Sequence, residues 1–304
     1  LVFIKTGNYR KQLLLLRCYL LTKRRKKMNE NNQFWALILG VSSGFGEATA
    51  LKLAEDGYNI IGIHLDRAAT LPNVERIEAQ IKSLGRKTMF FNVNAADSTK
   101  REEIIEELKK SFGGKSFVKV LMHTLAFGTL KPFIPKEGEQ ALTQAQMEMT
   151  MNVMAHSLVY WTQSLVMNNL FAPKGRIFGM TSSGGHVSIP YYGAVSAAKA
   201  AMESHIRQLS SELGHLGISA CSIMAGVTDT PALRKIPGNR PMIEVARRKN
   251  PRRRATTPED VAKVISLLCR EGGEWISGGI INADGGEDVV SFVGQGEREN
   301  NFIL

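Results

Sequence analysis

Tyr191, Tyr192 and Lys199 fall within IPYYGAVSAAKAAME, residues 189–203, just after Pro190 and at the start of a helical pattern. At about 100° per residue, seven positions bring Tyr192 to within about 20° of Lys199 around a helix, whereas Tyr191 lies about 80° away. A phenol on the same face as an ammonium can hand a proton, or a strong hydrogen bond, to an oxygen on which negative charge develops, and the cation stabilises that charge. Val195 shares the face but has no group that could do this. Tyr192 is therefore the candidate donor and Lys199 its partner, with Ser182 ten residues upstream in GMTSSGG.

A second cluster, GVSSGFG, spaces its glycines G-x3-G-x-G over Gly40–Gly46, between an apolar strand pattern and a helical one. Gly40 permits a tight turn, Gly44 lets backbone approach a pyrophosphate, and Gly46 permits close packing of helix on sheet, with the helix N-terminus facing the phosphates. Ser42, Ser43 and Phe45 belong to the same turn. The βαβ context raises this above a bare strand-to-helix turn. Downstream, an acid at the end of the second strand would accept the ribose 2′-hydroxyl of NAD and repel the 2′-phosphate of NADP. Asp66 lies 20 residues past Gly46, and Arg67 beside it could pair with a 2′-phosphate. The balance favours NADP(H) over NAD(H).

The elements that must position these residues alternate. Strands are expected at 35–39, 59–65, 87–93, 117–123, 175–181, 217–224 and 278–282, with helices at 46–56, 73–84, 98–112, 143–170, 192–214 and 258–271. Such alternation implies a single-domain α/β fold, a Rossmann-like doubly wound parallel sheet of seven strands with helices on both faces. The long stretch 225–257 contains Pro231, Pro237, Pro241 and Pro251 and reads as an irregular lid.

The formal net charge of +11 is concentrated at one end. Residues 1–27 hold nine Lys and Arg and no acid, which leaves +2 for the remainder, so the whole-chain charge says little about the partners of the body. The apolar run Leu13–Leu21 is interrupted by Arg17 and is shorter than the roughly 20 residues of a membrane span. The densest basic cluster follows that run, unlike a secretory signal. Met28 is expected to be the native start and residues 1–27 a non-native or disordered basic leader; a membrane-surface or targeting segment, or a nucleic-acid contact, is the alternative. Residues 28–287 form the expected domain and 288–304 a tail. Cys18, Cys221 and Cys269 show no C-x-x-C spacing, so neither a metal site nor a disulfide framework is expected, and a reducing cytoplasmic setting fits.

Over roughly residues 33–287 the chain resembles the short-chain dehydrogenase/reductase family. The matching stations are the glycine turn, Asn152 in MNVMAHS, Ser182, Lys199, AGVTDT at 225–230 and GGIINADGG at 278–286. Three places depart from the usual pattern: HTLA at His123–Ala126 for Asn-Asn-Ala-Gly, Ala225-Gly226 for Pro-Gly, and Val195 where the family has its tyrosine, four residues before the lysine. All three resemble the enoyl-acyl-carrier-protein reductase branch, which uses Tyr-x6-Lys, and TDTPALRKIPGNR is similar to the substrate loop of its NADPH-using type.

The resemblance implies hydride transfer to Cβ of an enoyl thioester, with charge developing on the thioester oxygen two carbons away. A phenol displaced by one helical turn can reach that oxygen. Lys199 would bind the nicotinamide ribose, Ser182 would line the pocket, and Asn152 would bend its helix and hold a water behind the lysine. His64, 18 residues past the third glycine, takes the place of the family's usual acid. Asn92 would contact adenine with Val93 beside it, His123 and Thr124 would edge the cofactor, and Gly226, Thr228 and Thr230 would face the nicotinamide carboxamide. His123 reads equally as a residue that satisfies backbone. The expected partner is an acyl thioester, carried by acyl carrier protein or coenzyme A, which the nine basic residues between Arg234 and Arg254 would suit. No nucleic acid is expected, and the family suggests a homotetramer. The alternatives are a carbonyl or alcohol enzyme such as a 3-oxoacyl thioester reductase, or an inactive nucleotide-sensing scaffold.

Overall fold

Seven apolar runs form strands β1 (Trp35–Leu39), β2 (Asn59–His64), β3 (Thr88–Asn92), β4 (Val118–His123), β5 (Phe171–Thr181), β6 (Ser219–Ala225) and β7 (Ile280–Ala283). They make one parallel sheet in the order β3-β2-β1-β4-β5-β6-β7. The computed structural model describes residues 33–291 except 114 and 237; the leader and the tail beyond residue 291 lie outside them. Helices α1 (Gly44–Glu55), α2 (Leu71–Ser83), α3 (Ser98–Phe112), α4 (Gln144–Met151), α5 (Ser157–Met167), α6 (Gly193–Leu213), α7 (Asn239–Lys249) and α8 (Pro258–Leu268) complete this Rossmann-like domain.

Side chains alternate across the pleat, so each central strand feeds two cores. Leu37 and Leu39 of β1 join Leu108 of α3, Trp161 of α5 and Ile206 of α6 on one face. Ala36 and Ile38 join Leu53 of α1, Ile77 of α2 and Ile265 of α8 on the other. Because both faces are covered, strands such as WALIL and NIIGIH are buried along their whole length rather than alternating with polar residues. Helix starts follow local chemistry. Asp97 accepts from Lys100 N to cap α3, and Thr143 and Thr257 build reciprocal capping boxes with Gln146 and Asp260.

Three expectations need correction. The stretch 143–170 is not one helix: α4 gives way to a π-helical turn at Asn152–His156, α5 follows and ends at Met167, and β5 starts at Phe171 rather than 175. The lid is not irregular throughout, since a short 3₁₀ turn (Leu233–Lys235) and α7 lie inside it. Pro241 is the third residue of α7, where its missing N–H costs no intrahelical bond, so its presence does not signal a loop. The helix over 46–56 begins two residues earlier, at Gly44, which puts the second half of the glycine turn in the helix itself. The other boundaries match or shift by at most three residues.

Candidate active site and cofactor cleft

The chain leaves β1 toward β2 and β3, then crosses back to β4 on the other side of β1. Crevices at the carboxyl ends of strands beside such a reversal are where doubly wound sheets bind ligands. Gly40 ends β1 at φ +93° and Gly44 starts α1 at φ +54°, both left-handed values that glycine tolerates. A Cβ on Gly46 would sit 1.9 Å from the Gly40 carbonyl oxygen, so only glycine lets α1 pack this closely on the turn. The result is a backbone cradle at a helix N-terminus, which fits a dinucleotide pyrophosphate. The Ser42 carbonyl accepts from Asn73 Nδ2 at 2.6 Å, Ser43 is the extended N-cap residue of α1, and Phe45 faces the cavity described next.

A cavity of about 270 Å³ opens beside this cradle. Its polar wall brings together Ser182, Tyr192 and Lys199 with Thr124, Gly226, Thr228 and Thr230. Tyr192 is the N-cap residue of α6, so its ring enters the cavity at the start of the helix that carries Lys199. Burial raises the Tyr192 phenol, and the nearby Ser182 hydroxyl offsets part of that rise. The two hydroxyls are not aligned as a hydrogen-bonded pair; Ser182 Oγ is buried with no hydrogen-bond partner, as expected of a group that faces a ligand. Gly184 makes room for the phenol, because a Cβ there would lie 2.6 Å from the Tyr192 ring. Tyr191 turns the other way. It is exposed, its backbone sits at φ +63°, and its hydroxyl donates to Glu139 Oε1 at 2.8 Å.

Lys199 is buried and donates from Nζ to the Met180 carbonyl at 2.8 Å. Burial lowers its pKa to about 8, opposed by the Glu203 carboxylate one turn along α6. Glu203 Oε1 also accepts from Thr181 Oγ1 at 2.5 Å, so two charged residues of α6 fasten consecutive residues at the end of β5. Val195, where a donor four residues before the lysine would stand, is 4% exposed. It packs so closely that a Cβ on Gly128 would fall 2.6 Å from it. Asn152 is the first residue of the π-helical turn, whose wider winding lets the Ser157 N–H reach back to the Asn152 carbonyl. Single π turns of this kind recur at functional sites.

Other candidates lie away from the cavity. His123 is wholly buried at the end of β4, where Nε2 meets the Val153 carbonyl at 3.1 Å and Ser157 Oγ at 2.8 Å. Burial and the Lys199 charge lower its pKa to about 3, so it is a neutral tie between β4 and the π turn, not a wall of the cavity. At the end of β2, His64 Nδ1 meets Asp66 Oδ2 at 3.0 Å, and Arg67 is exposed. Asn92 gives its amide to the Asp66 backbone, accepting from Asp66 N at 2.9 Å and donating to Asp66 O at 3.0 Å, while Val93 N donates to the His64 carbonyl. His186 pairs with Asp288.

The apolar wall is not legible in the sequence. Leu125, Phe127 and Leu130 from the segment after β4, Met154 from the π turn, and Leu233 and Met242 from the lid all face the cavity. The lid is anchored by a buried polar knot: Val227 N donates to Glu287 Oε1 at 3.1 Å, and Asn250 Nδ2 donates to the Asp284 carbonyl at 2.8 Å. Burial pushes the Glu287 carboxyl up. Thr230 lies over the glycine turn, 3.3 Å from the position a Gly44 Cβ would take.

Residues 40–287 match the family model described as enoyl-(acyl carrier protein) reductase. The chain belongs to this family, within the short-chain dehydrogenases/reductases. Among relatives of this short-chain reductase, short-chain dehydrogenase/reductase eriH of Hericium erinaceus is 27% identical over 252 residues, covering 83% of this chain and 96% of eriH. The NADPH-dependent aldehyde reductase-like chloroplastic protein of Arabidopsis thaliana is 26% identical, over 83% of this chain and 93% of its own. In fold, the enoyl-(acyl-carrier-protein) reductase of Anaplasma phagocytophilum, solved with NAD, superposes with a TM-score of 0.73 at 19% identity, over 88% of this chain and 96% of that one. The short-chain reductase is accordingly an oxidoreductase that works with a nicotinamide dinucleotide. Among its described residues, no helix is long and apolar enough to cross a membrane.

Proposed function

We propose that this short-chain reductase reduces the double bond of an enoyl thioester with NADPH, and that Tyr192 supplies the hydrogen bond or proton to the thioester oxygen. The observation that carries the reading is the pairing of Val195 and Tyr192. The place nearest the lysine on the inner helix face holds a packed valine, and the phenol enters the cavity one turn earlier, beside Ser182. A carbonyl reduction needs its donor at the oxygen of the carbon that receives hydride. Conjugate reduction needs it two carbons away, and a donor set back by one helical turn suits that geometry.

The dinucleotide, when bound, supplies hydride. The glycine cradle at Gly40–Gly46 would hold its pyrophosphate, and Thr228 and Thr230 would meet its nicotinamide end. Lys199, cationic below about pH 8, holds positive charge near the oxygen that becomes negative. Ser182 brings an unpaired hydroxyl that can bond the substrate oxygen or the Tyr192 phenol. Leu125, Phe127, Leu130, Met154 and Met242 keep water from the acyl chain. For the carrier, we propose acyl carrier protein or coenzyme A, whose negative charge would meet the basic side chains of α7.

The names of the carbonyl-reducing relatives favour a second reading, the reduction of a ketone or aldehyde. Following NADPH absorbance with a crotonyl thioester and, separately, an acetoacetyl thioester divides the two. Oxidation with crotonyl alone supports the enoyl reading, and oxidation with acetoacetyl alone overturns it.

A further inference from the structure

The end of β2 presents a contradiction that its geometry resolves. Asp66 is an acid about 20 residues past the glycine turn, where dinucleotide-binding folds in general offer a carboxylate to the ribose 2′-hydroxyl, yet Arg67 beside it suits a 2′-phosphate. The Asp66 carboxylate does not point freely outward: its side chain is 12% exposed and that of His64 is 4% exposed, and His64 Nδ1 lies 3.0 Å from Asp66 Oδ2. An ionised carboxylate can only accept, so the proton of this bond belongs to His64 Nδ1. Asn92 locks the same residue through both its backbone N and O, so Asp66 is held by a strand residue on each side. Arg76 of α2 is committed to Glu47 and Asn73. Arg67 is exposed, and its guanidinium forms no ion pair among the described residues.

We propose that His64 is the residue that decides cofactor choice: it turns the Asp66 carboxylate inward, out of use as a ribose acceptor, and leaves Arg67 as the free charge that meets a 2′-phosphorylated dinucleotide. The proposal rests on the NADPH reading above and gives it a cause. Without His64 the same acid would swing outward, accept a 2′-hydroxyl and repel a 2′-phosphate.

The test is direct binding rather than turnover. Dissociation constants for NADPH and NADH are measured by calorimetry on the wild-type chain and on Asp66→Asn, His64→Leu, Arg67→Ala and the double variant His64→Leu/Asp66→Asn. The wild type should bind NADPH at least about tenfold more tightly than NADH, as one charge-assisted contact allows. Asp66→Asn should leave NADH binding within about twofold, because the carboxylate is not presented to the ribose. His64→Leu should lower the preference for NADPH by about tenfold, and adding Asp66→Asn should restore it. Arg67→Ala should weaken NADPH alone. If the wild type prefers NADPH but Asp66→Asn weakens NADH about tenfold, the acid is in use and the role given to His64 is wrong while the NADPH reading stands. An unchanged preference in a folded His64→Leu protein would likewise overturn the role of His64 and leave the NADPH reading intact. If the wild type prefers NADH, the NADPH reading fails and the proposal with it.

Discussion

On the proposed reading Lys199 is the most consequential side chain at the residue scale, because that reading needs its charge where burial opposes it. The titratable groups around it are Tyr192 and Glu203 on its own helix and His123 across from it on β4. With a pKa lowered to about 8, the cation is present below that pH and lost as pH rises through it. Activity that depends on the cation should therefore fall on the alkaline side with a midpoint near 8. The stability contribution runs the other way. Above about pH 8 the native lysine is neutral while the unfolded chain, at the ordinary 10.5, still binds a proton, so the unfolded state holds more protons and the burial penalty is relieved as pH rises. Glu203→Gln keeps an acceptor for Thr181 but removes the charge that supports the cation. Its rate profile should move to lower pH, and an unmoved alkaline limb would show that Glu203 does not act on Lys199. Much of this centre is legible in the sequence, because Tyr192 at the N-cap of α6 and Lys199 within it line the same cavity. The helix angle already favours Tyr192 over Tyr191, but the sequence does not show what turns Tyr191 away. That depends on the left-handed backbone at Tyr191 and on Glu139, 52 residues away, which takes its hydroxyl. Nor does it assign His123, whose partners, Val153 and Ser157, lie in the π turn and at the start of α5, which no periodicity announces.

At the scale of elements, the glycine turn and the lid set the shape of the site from opposite sides. Gly46→Ala would drive a methyl into the Gly40 carbonyl at 1.9 Å, and the contact is with backbone, so α1 must move away from the end of β1. Overpacking of this kind costs about 1–3 kcal/mol. Calorimetry should show a lowered Tm and cofactor affinity reduced by at least about tenfold; wild-type affinity in this variant would mean that the cradle does not bind the pyrophosphate. The strand and helix sequence of this half is legible because both cores demand apolar runs of fixed period. The lid is not, because prolines look alike whether they break a helix or sit in its first turn, as Pro241 does in α7. The lid's anchors, Glu287 and Asn250, are equally silent, since each is an ordinary polar residue until the fold brings Val227 and Asp284 against it.

Across the whole molecule, the proposed reading divides the labour of recognition between charge and apolar surface. The cavity walls are mostly apolar and α7 reaches them through Met242, while Arg240, Arg248 and Lys249 of the same helix form no ion pair among the described residues and Arg247 pairs with Glu244. If an anionic carrier docks there, the apparent KM for a carrier-bound substrate should rise steeply with ionic strength, while KM for a short thioester lacking the carrier changes little. Charge reversal at Arg248 should reproduce the effect of salt, and a KM for the carrier-bound substrate that ignores both would remove α7 from the docking surface. The doubly wound architecture is legible as a whole because alternation constrains topology so tightly. The proposed chemistry is more local, and it turns on one phenol. The most direct measurement is the rate of NADPH oxidation with a crotonyl thioester by wild type, Tyr192→Phe and Tyr191→Phe, each shown by calorimetry to bind NADPH. A displaced donor at Tyr192 requires a fall of about 10²-fold or more in Tyr192→Phe and near-wild-type turnover in Tyr191→Phe. Full activity in Tyr192→Phe, or collapse in Tyr191→Phe alone, would contradict it.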